Sequence, residues 1–162
     1  MIDFCVLGSG VAGSTIANAL SKKYTVHVFD KARGSGGRSS NKKFKKSLSF
    51  DHGVQYISPK SKKFIKFTQK LLKKKIFKIW DGNHLDFTFE KKSNNTKYIG
   101  AKGNNALVKY QLKDIKQFFT SQIIKIEYKK HFWKITLNDK SSHQFKALIL
   151  TCPFPQLKKI AR

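Results

Sequence analysis

An α/β fold with a parallel sheet is what this chain of 162 residues predicts, and three observations carry that expectation. An apolar run, Ile2 to Leu7, ends at Gly8-Ser9-Gly10-Val11-Ala12-Gly13. Next, Ala12, Ile16, Ala17 and Leu20 recur at helical spacing until Ser21-Lys22-Lys23 closes the segment with polar and basic residues. A second apolar, β-rich run, Thr25 to Phe29, then ends at Asp30. The order is strand, glycine turn, helix, strand, acid, the pattern of a βαβ unit.

Each residue type in that unit has a mechanical reason if a dinucleotide is bound. Gly8 permits a tight exit from the strand, Gly10 lets the backbone come close to a pyrophosphate, and Gly13 lets the helix lie against the sheet. The helix beginning at Val11 and Ala12 aims unpaired N–H groups and the positive end of its dipole at the phosphates. Asp30 stands where a carboxylate accepts hydrogen bonds from both ribose hydroxyls, which disfavours a 2′-phosphate, although Lys31 and Arg33 weaken that exclusion. The alternative is a glycine-rich turn without a ligand.

The following stretch, Lys31 to Ser40, is too rich in glycine for a regular element. Its exposed amides, with Gly37 and the Arg38 guanidinium, offer a second set of donors to a pyrophosphate. A mobile surface loop is the competing reading. Farther on, Phe50-Asp51-His52-Gly53-Val54-Gln55-Tyr56-Ile57 places an acid, a glycine and an amide in a β-like segment.

Ser61 to Lys75 carries Phe64, Ile65, Thr68, Leu71 and Leu72 at helical spacing with lysines elsewhere. It predicts an amphipathic helix whose apolar stripe is core, with a membrane-surface helix as the sharper alternative. Ile76 to Trp80 and His84 to Phe89 flank Asp81-Gly82-Asn83 as a hairpin, its aromatics packing across strands. Three strand-like runs follow, Gln122 to Tyr128, Phe132 to Leu137 and Gln144 to Leu150, separated by short polar turns.

The formal charge of +25 ordinarily suggests a polyanionic partner. Only Arg33, Arg38 and Arg162 are arginine, however, and the lysines are spread along the chain. Fork-shaped recognition of phosphates and bases favours arginine, so no specific nucleic-acid partner is expected, only weak, salt-sensitive adhesion. Lysine, isoleucine, asparagine and phenylalanine share AT-rich codons, which accounts for such a composition without selection for a polyanion.

Cys5 and Cys152 lie in or beside apolar runs without metal-ligand spacing, and His27, His84, His131 and His143 lie in strand or turn settings without a convergent acid or cysteine pattern, while His52 sits inside the Asp51 to Tyr56 segment, so no metal site is expected. The start of the chain reads as a first strand rather than a signal peptide, and no run reaches membrane-spanning length. The expectation is a cytoplasmic protein without a membrane partner. No serine or cysteine sits in a nucleophile-elbow pattern, so the chemistry is a cofactor's.

Three motifs in series carry a more specific resemblance. Gly8-x-Gly10-x-x-Gly13, then Asp30-Lys31-Ala32 leading to Gly36-Gly37-Arg38, then Asp51-His52-Gly53-Val54-Gln55-Tyr56 resemble the consecutive signatures of the renalase-like branch of FAD-dependent amine-oxidase-type oxidoreductases. Tyr98 to Leu107 is similar to that family's glycine-containing turn and following helix, and Leu150 to Gln156 to its strand and Pro-x-Pro-Gln turn. Thr151 departs from a position usually small and apolar.

The resemblance implies a Rossmann-like FAD-binding βαβ sheet with an inserted β-meander and part of a second, substrate-side lobe, incomplete as a fold. It implies FAD as cofactor, a small-molecule substrate, and hydride transfer from an amine or reduced-nicotinamide-like donor. It places an FAD-binding unit and following strand in 1–57, part of the substrate lobe in 58–100, and a return to the FAD-binding domain in 101–162. Gly8, Gly10, Val11, Ala12, Gly13, Gly37 and Arg38 are expected to hold the pyrophosphate. Asp30 with Lys31 is expected at the ribose and the Ile123 backbone at the adenine. Asp51, Gly53, Gln55 and Tyr56 are expected on the flavin or substrate side, with no catalytic residue identified. Because the matching pattern is the front part of the family's, a truncated or split form completed by a second chain is expected. A non-catalytic basic protein binding nucleic acid or another polyanion is the alternative.

Overall fold

A computed structural model describes residues 1–45, 48–82, 96–158 and 160. The chain divides into two compact units, Met1–Arg38 with Val108–Arg162, and Ser39–Leu107.

The first unit is built on a six-stranded mixed sheet. β1 (Ile2–Leu7), β2 (Val26–Phe29), β7 (Lys116–Phe118), β8 (Ile123–Lys129), β9 (Phe132–Leu137) and β10 (Ser142–Leu150) are ordered β7-β2-β1-β10-β9-β8. The first four strands in that order run parallel; β10 to β9 and β9 to β8 are antiparallel. The predicted βαβ unit is present, with α1 spanning Val11–Leu20. The three predicted strands at the C-terminal end form the expected meander, and it is continuous with the parallel sheet. Ser142 to Phe145 of β10 pair with β9, while Phe145 to Leu150 pair with β1. Nine residues of β-rich sequence make one strand long enough to serve both neighbours.

The alternation of side chains along each strand separates two cores. On one face Val6, Val26 and Val28 meet Ala17 of α1 and Val108, Leu112 and Ile115. On the other, Cys5, Leu7 and Phe29 join Ile123, Ile126, Ile135, Leu137 and Phe145. Phe29 and Phe145 are fully buried, and each such side chain contributes on the order of 2–3 kcal/mol. A buried hydrogen bond from the Ser14 hydroxyl to Gln111 Oε1, 2.7 Å, and one from Asn18 Nδ2 to the Gln111 carbonyl, 2.9 Å, fix α1 against the segment after Val108.

The second unit holds a short hairpin, β3 (Asn41–Lys43) with β4 (Ser49–Asp51), then α2 (Lys62–Lys73), and β5 (Phe77–Ile79) antiparallel to β6 (Tyr98–Gly100). Leu71, Phe77, Tyr98 and Leu107 are its core. α3 covers Ala106–Gln111 and α4 covers Phe154–Leu157. The predicted helix appears as α2, started by the Ser61 hydroxyl, which accepts from the Phe64 N–H at 3.2 Å. Its stripe is only partly core. Thr68 and Leu71 are buried, but Phe64 is 39% exposed. The first turn extends past the small core of this unit. The Ile76–Trp80 run pairs with Tyr98–Gly100, and its predicted partner, His84 to Phe89, lies outside the described residues.

Candidate dinucleotide site

At the exit of β1 the chain turns through Gly8, whose φ of +105° is a conformation that L side chains rarely adopt. The hydroxyl of Thr151, just past β10, donates to the Leu7 carbonyl at 2.8 Å and stands where a Gly8 Cβ would come within 2.7 Å of it. Gly13 lies under the same turn. A Cβ there would fall 1.9 Å from the Gly8 carbonyl oxygen, so the first turn of α1 can approach β1 only with hydrogen at this position.

Gly10 differs. Its φ of −78° is ordinary, and a Cβ would meet the Gly37 Cα at 3.8 Å, normal van der Waals contact. The protein's own packing gives no reason for glycine at position 10. Gly10 is also the N-cap of α1, with no side chain capping the helix and no acid in its first turn. The first N–H accepted within the helix is that of Ser14, bonded to the Gly10 carbonyl at 2.9 Å. Val11 and Ala12, whose amides precede it, are exposed. An uncapped helix start, bare of side chains and positive in potential, is a fit for a phosphate.

The Gly34 to Arg38 loop lies beside this turn. Gly10 and Gly36 form an isolated parallel bridge, and the Gly36 N–H donates to the Ser9 carbonyl at 3.0 Å. Gly37 has φ +54°, and a Cβ on it would come within 3.0 Å of the Gly10 Cα. The loop therefore has defined structure, including a single 3-10 turn over Gly37–Ser39. Arg38 is exposed and forms no ion pair among the described residues.

Asp30 follows β2 directly, with its carboxylate directed to the same turn. One oxygen accepts from the Ser9 amide at 2.7 Å and the Ser9 hydroxyl at 2.6 Å; the other accepts from the Ala32 amide at 2.9 Å. Three of roughly four lone-pair sites are thus used internally. Ser9 is fully buried and was not among the residues singled out by sequence. A hydroxyl between two glycines, facing an acid at the end of the next strand, is the signal that points to it. The loop after β7 joins the same corner, since the Ser121 N–H donates to the Asp30 carbonyl at 3.0 Å and the Thr120 N–H to that of Ala32 at 2.9 Å. Ile123, two residues on, opens β8 and is buried.

Asp51, Gly53, Gln55 and Tyr56 belong to the second unit and are exposed. Asn104 ties Asp51, Val54 and Gln55 together. Its side chain accepts from the Gly100 N–H at 2.8 Å and donates to the Val54 and Gln55 carbonyls at 2.7 and 2.9 Å. Its own amide donates to Asp51 Oδ1 at 2.8 Å, an oxygen that also accepts from Asn41 Nδ2 at 3.0 Å. Tyr56 lies 5.4 Å from the Trp80 ring, and the Lys97 ammonium lies 4.6 Å above the Tyr56 ring. His52 meets the Ser40 hydroxyl at 3.3 Å.

No group of three or more metal-ligating residues forms among the described residues. Both cysteines are free thiols, and burial pushes both above the ordinary thiol value. Neither is an activated nucleophile. Among the described residues no helix is long and apolar enough to cross a membrane.

Comparison with known proteins agrees with this geometry. Residues 6–71 match the family described as NAD(P)-binding Rossmann-like domain. The chain is 28% identical to renalase of Mus musculus over 170 residues, covering 96% of this chain and 48% of that protein. It is also similar to the crystal structure of the tetracycline destructase Tet(51), with TM-score 0.60 and 10% identity over 93% of this chain and 38% of that one. The chain spans about half the length of the curated relative it matches. The resemblance read from the motifs therefore holds, and the chain carries a Rossmann-like dinucleotide-binding fold of the kind found in FAD- and NAD(P)-binding oxidoreductases.

Proposed function

We propose, from the premise of that resemblance, that this chain is the dinucleotide-binding portion of a renalase-like oxidoreductase and that its cofactor is FAD. The observation that carries the reading is Gly10, a glycine the protein itself does not require, set at the uncapped start of α1. A ligand that must approach the backbone explains it.

In this reading the Val11 and Ala12 amides bind the pyrophosphate, with Gly37 and exposed Arg38 supplying donors from the neighbouring loop. Asp30 uses its remaining lone pair toward a ribose hydroxyl while Ser9 and Ala32 hold the carboxylate in place. Lys31 adds positive charge beside it. The Ile123 backbone serves the adenine end, and Gln55, Tyr56, Asp51 and Gly53 serve the flavin or substrate end. When bound, FAD supplies the acceptor for a hydride from an amine or a reduced-nicotinamide-like donor. The protein's share is binding and orientation. The reading sets the chain in a reducing cytoplasm, where Cys5 and Cys152 stay thiols.

The test is titration of the purified chain with FAD, followed by flavin absorbance and fluorescence, for wild type and Gly10→Ala. Saturable binding by wild type, weakened about tenfold or more in Gly10→Ala at unchanged circular dichroism, supports the site. Equal binding by both removes it. Tighter binding of NADH or NADPH than of FAD would keep the site and replace the cofactor.

A further inference from the structure

We propose that the N-terminal half of α2 is a docking surface for an anionic lipid bilayer. Periodicity alone assigns the whole apolar stripe of this helix to the core, but the fold takes up only part of it. Thr68 and Leu71 are buried, whereas Phe64 and Phe67 are 39% and 37% exposed. The two rings stack on each other, centroids 6.3 Å apart with planes 19° apart, one helical turn from each other. Two partly exposed phenyl rings side by side on one helix form an apolar patch, and the Ser61 cap starts the turn that carries Phe64.

The surrounding charge selects the occupant. Lys62, Lys63, Lys66 and Lys70 share the helix with the rings, and no aspartate or glutamate occurs from His52 to Trp80. A segment that is only positive repels a basic partner and attracts an anionic one. Its cations are all lysines, flexible point charges suited to a diffuse layer of headgroups rather than to the bidentate forks that base and phosphate-backbone recognition use. Lysine ammoniums at headgroup level with phenyl rings reaching the acyl boundary is the arrangement of an interfacial helix. This site is independent of the dinucleotide reading.

The test is co-sedimentation of the full chain with vesicles of phosphatidylcholine alone and of phosphatidylcholine with phosphatidylglycerol in equal parts. Wild type is expected to partition onto the anionic vesicles and not the neutral ones, less so as salt rises. F64S/F67S, altered at two rings that are more than a third exposed, is expected to keep its circular dichroism and lose about tenfold or more of that partitioning. K62Q/K63Q/K66Q is expected to lose it too. Equal partitioning onto both vesicle types, or none, overturns the proposal. So does an F64S/F67S variant that binds like wild type, because charge without the patch then suffices. Polyuridylate binding that falls in F64S/F67S as vesicle binding does would assign the surface to nucleic acid.

Discussion

The amide and the hydroxyl of Ser9 both donate to one carboxylate oxygen of Asp30, at 2.7 and 2.6 Å, joining the turn after β1 to the end of β2. The two residues are 21 positions apart, and their contact closes the floor of the candidate site. Asp30 is therefore a structural acceptor before it is a ligand contact. Charge-assisted hydrogen bonds of this length are the strong kind.

Ser9→Ala removes the hydroxyl and leaves the amide bond to Asp30. Loss of one hydrogen bond to a buried-side carboxylate costs about 2 kcal/mol, read as a lower urea midpoint at unchanged slope. The same variant should also bind FAD more weakly, since Asp30 loses one of its restraints. Wild-type stability in Ser9→Ala would show that the hydroxyl bond contributes nothing.

Gly13→Ala and Gly10→Ala should separate folding from binding. A methyl group at 13 meets the Gly8 carbonyl oxygen at 1.9 Å, so the helix must move off the strand, at about 3 kcal/mol. A methyl group at 10 meets nothing closer than 3.8 Å. Denaturation of the two variants side by side checks this, and equal destabilisation would contradict it.

His27 makes stability depend on pH. Its Nδ1 is buried without a hydrogen-bond partner, between the Phe118 and Phe145 rings. Burial first, then the positive charge of Lys116 and His143, lowers its pKa below the ordinary 6.5. The unfolded chain then binds the proton more readily than the folded one, so stability falls as pH drops below about 6.5 and levels off below the folded value. His27→Phe, which keeps an aromatic ring in place, should reduce that slope between pH 7 and pH 5. Urea midpoints across this range decide it, and an identical slope in the variant would assign the dependence elsewhere.

Asn104→Ala strips three side-chain hydrogen bonds, one from the buried Gly100 amide and two from the Val54 and Gln55 carbonyls. About 2 kcal/mol of local stability should be lost, mostly because the buried Gly100 amide is left unsatisfied and bears the desolvation cost. Hydrogen exchange should show faster opening across residues 51–56 and 98–104 while β1 and β2 keep their protection. Uniform loss of protection in both units would mean that Asn104 stabilises the fold globally.

The βαβ unit was legible from residue order alone, because Gly8, Gly13 and the apolar alternation of β1 and β2 encode local geometry and side-chain period, which neighbours in sequence determine. The amphipathic character of α2 was legible for the same reason. The tertiary structure decided what distance along the chain conceals. It gave Asp30 a partner in Ser9, made β10 common to the meander and the parallel sheet, paired β5 with β6, and left Phe64 and Phe67 more than a third exposed. Such outcomes depend on which surfaces compete for burial and which polar groups find each other across loops, and neither quantity is a property of a sequence window.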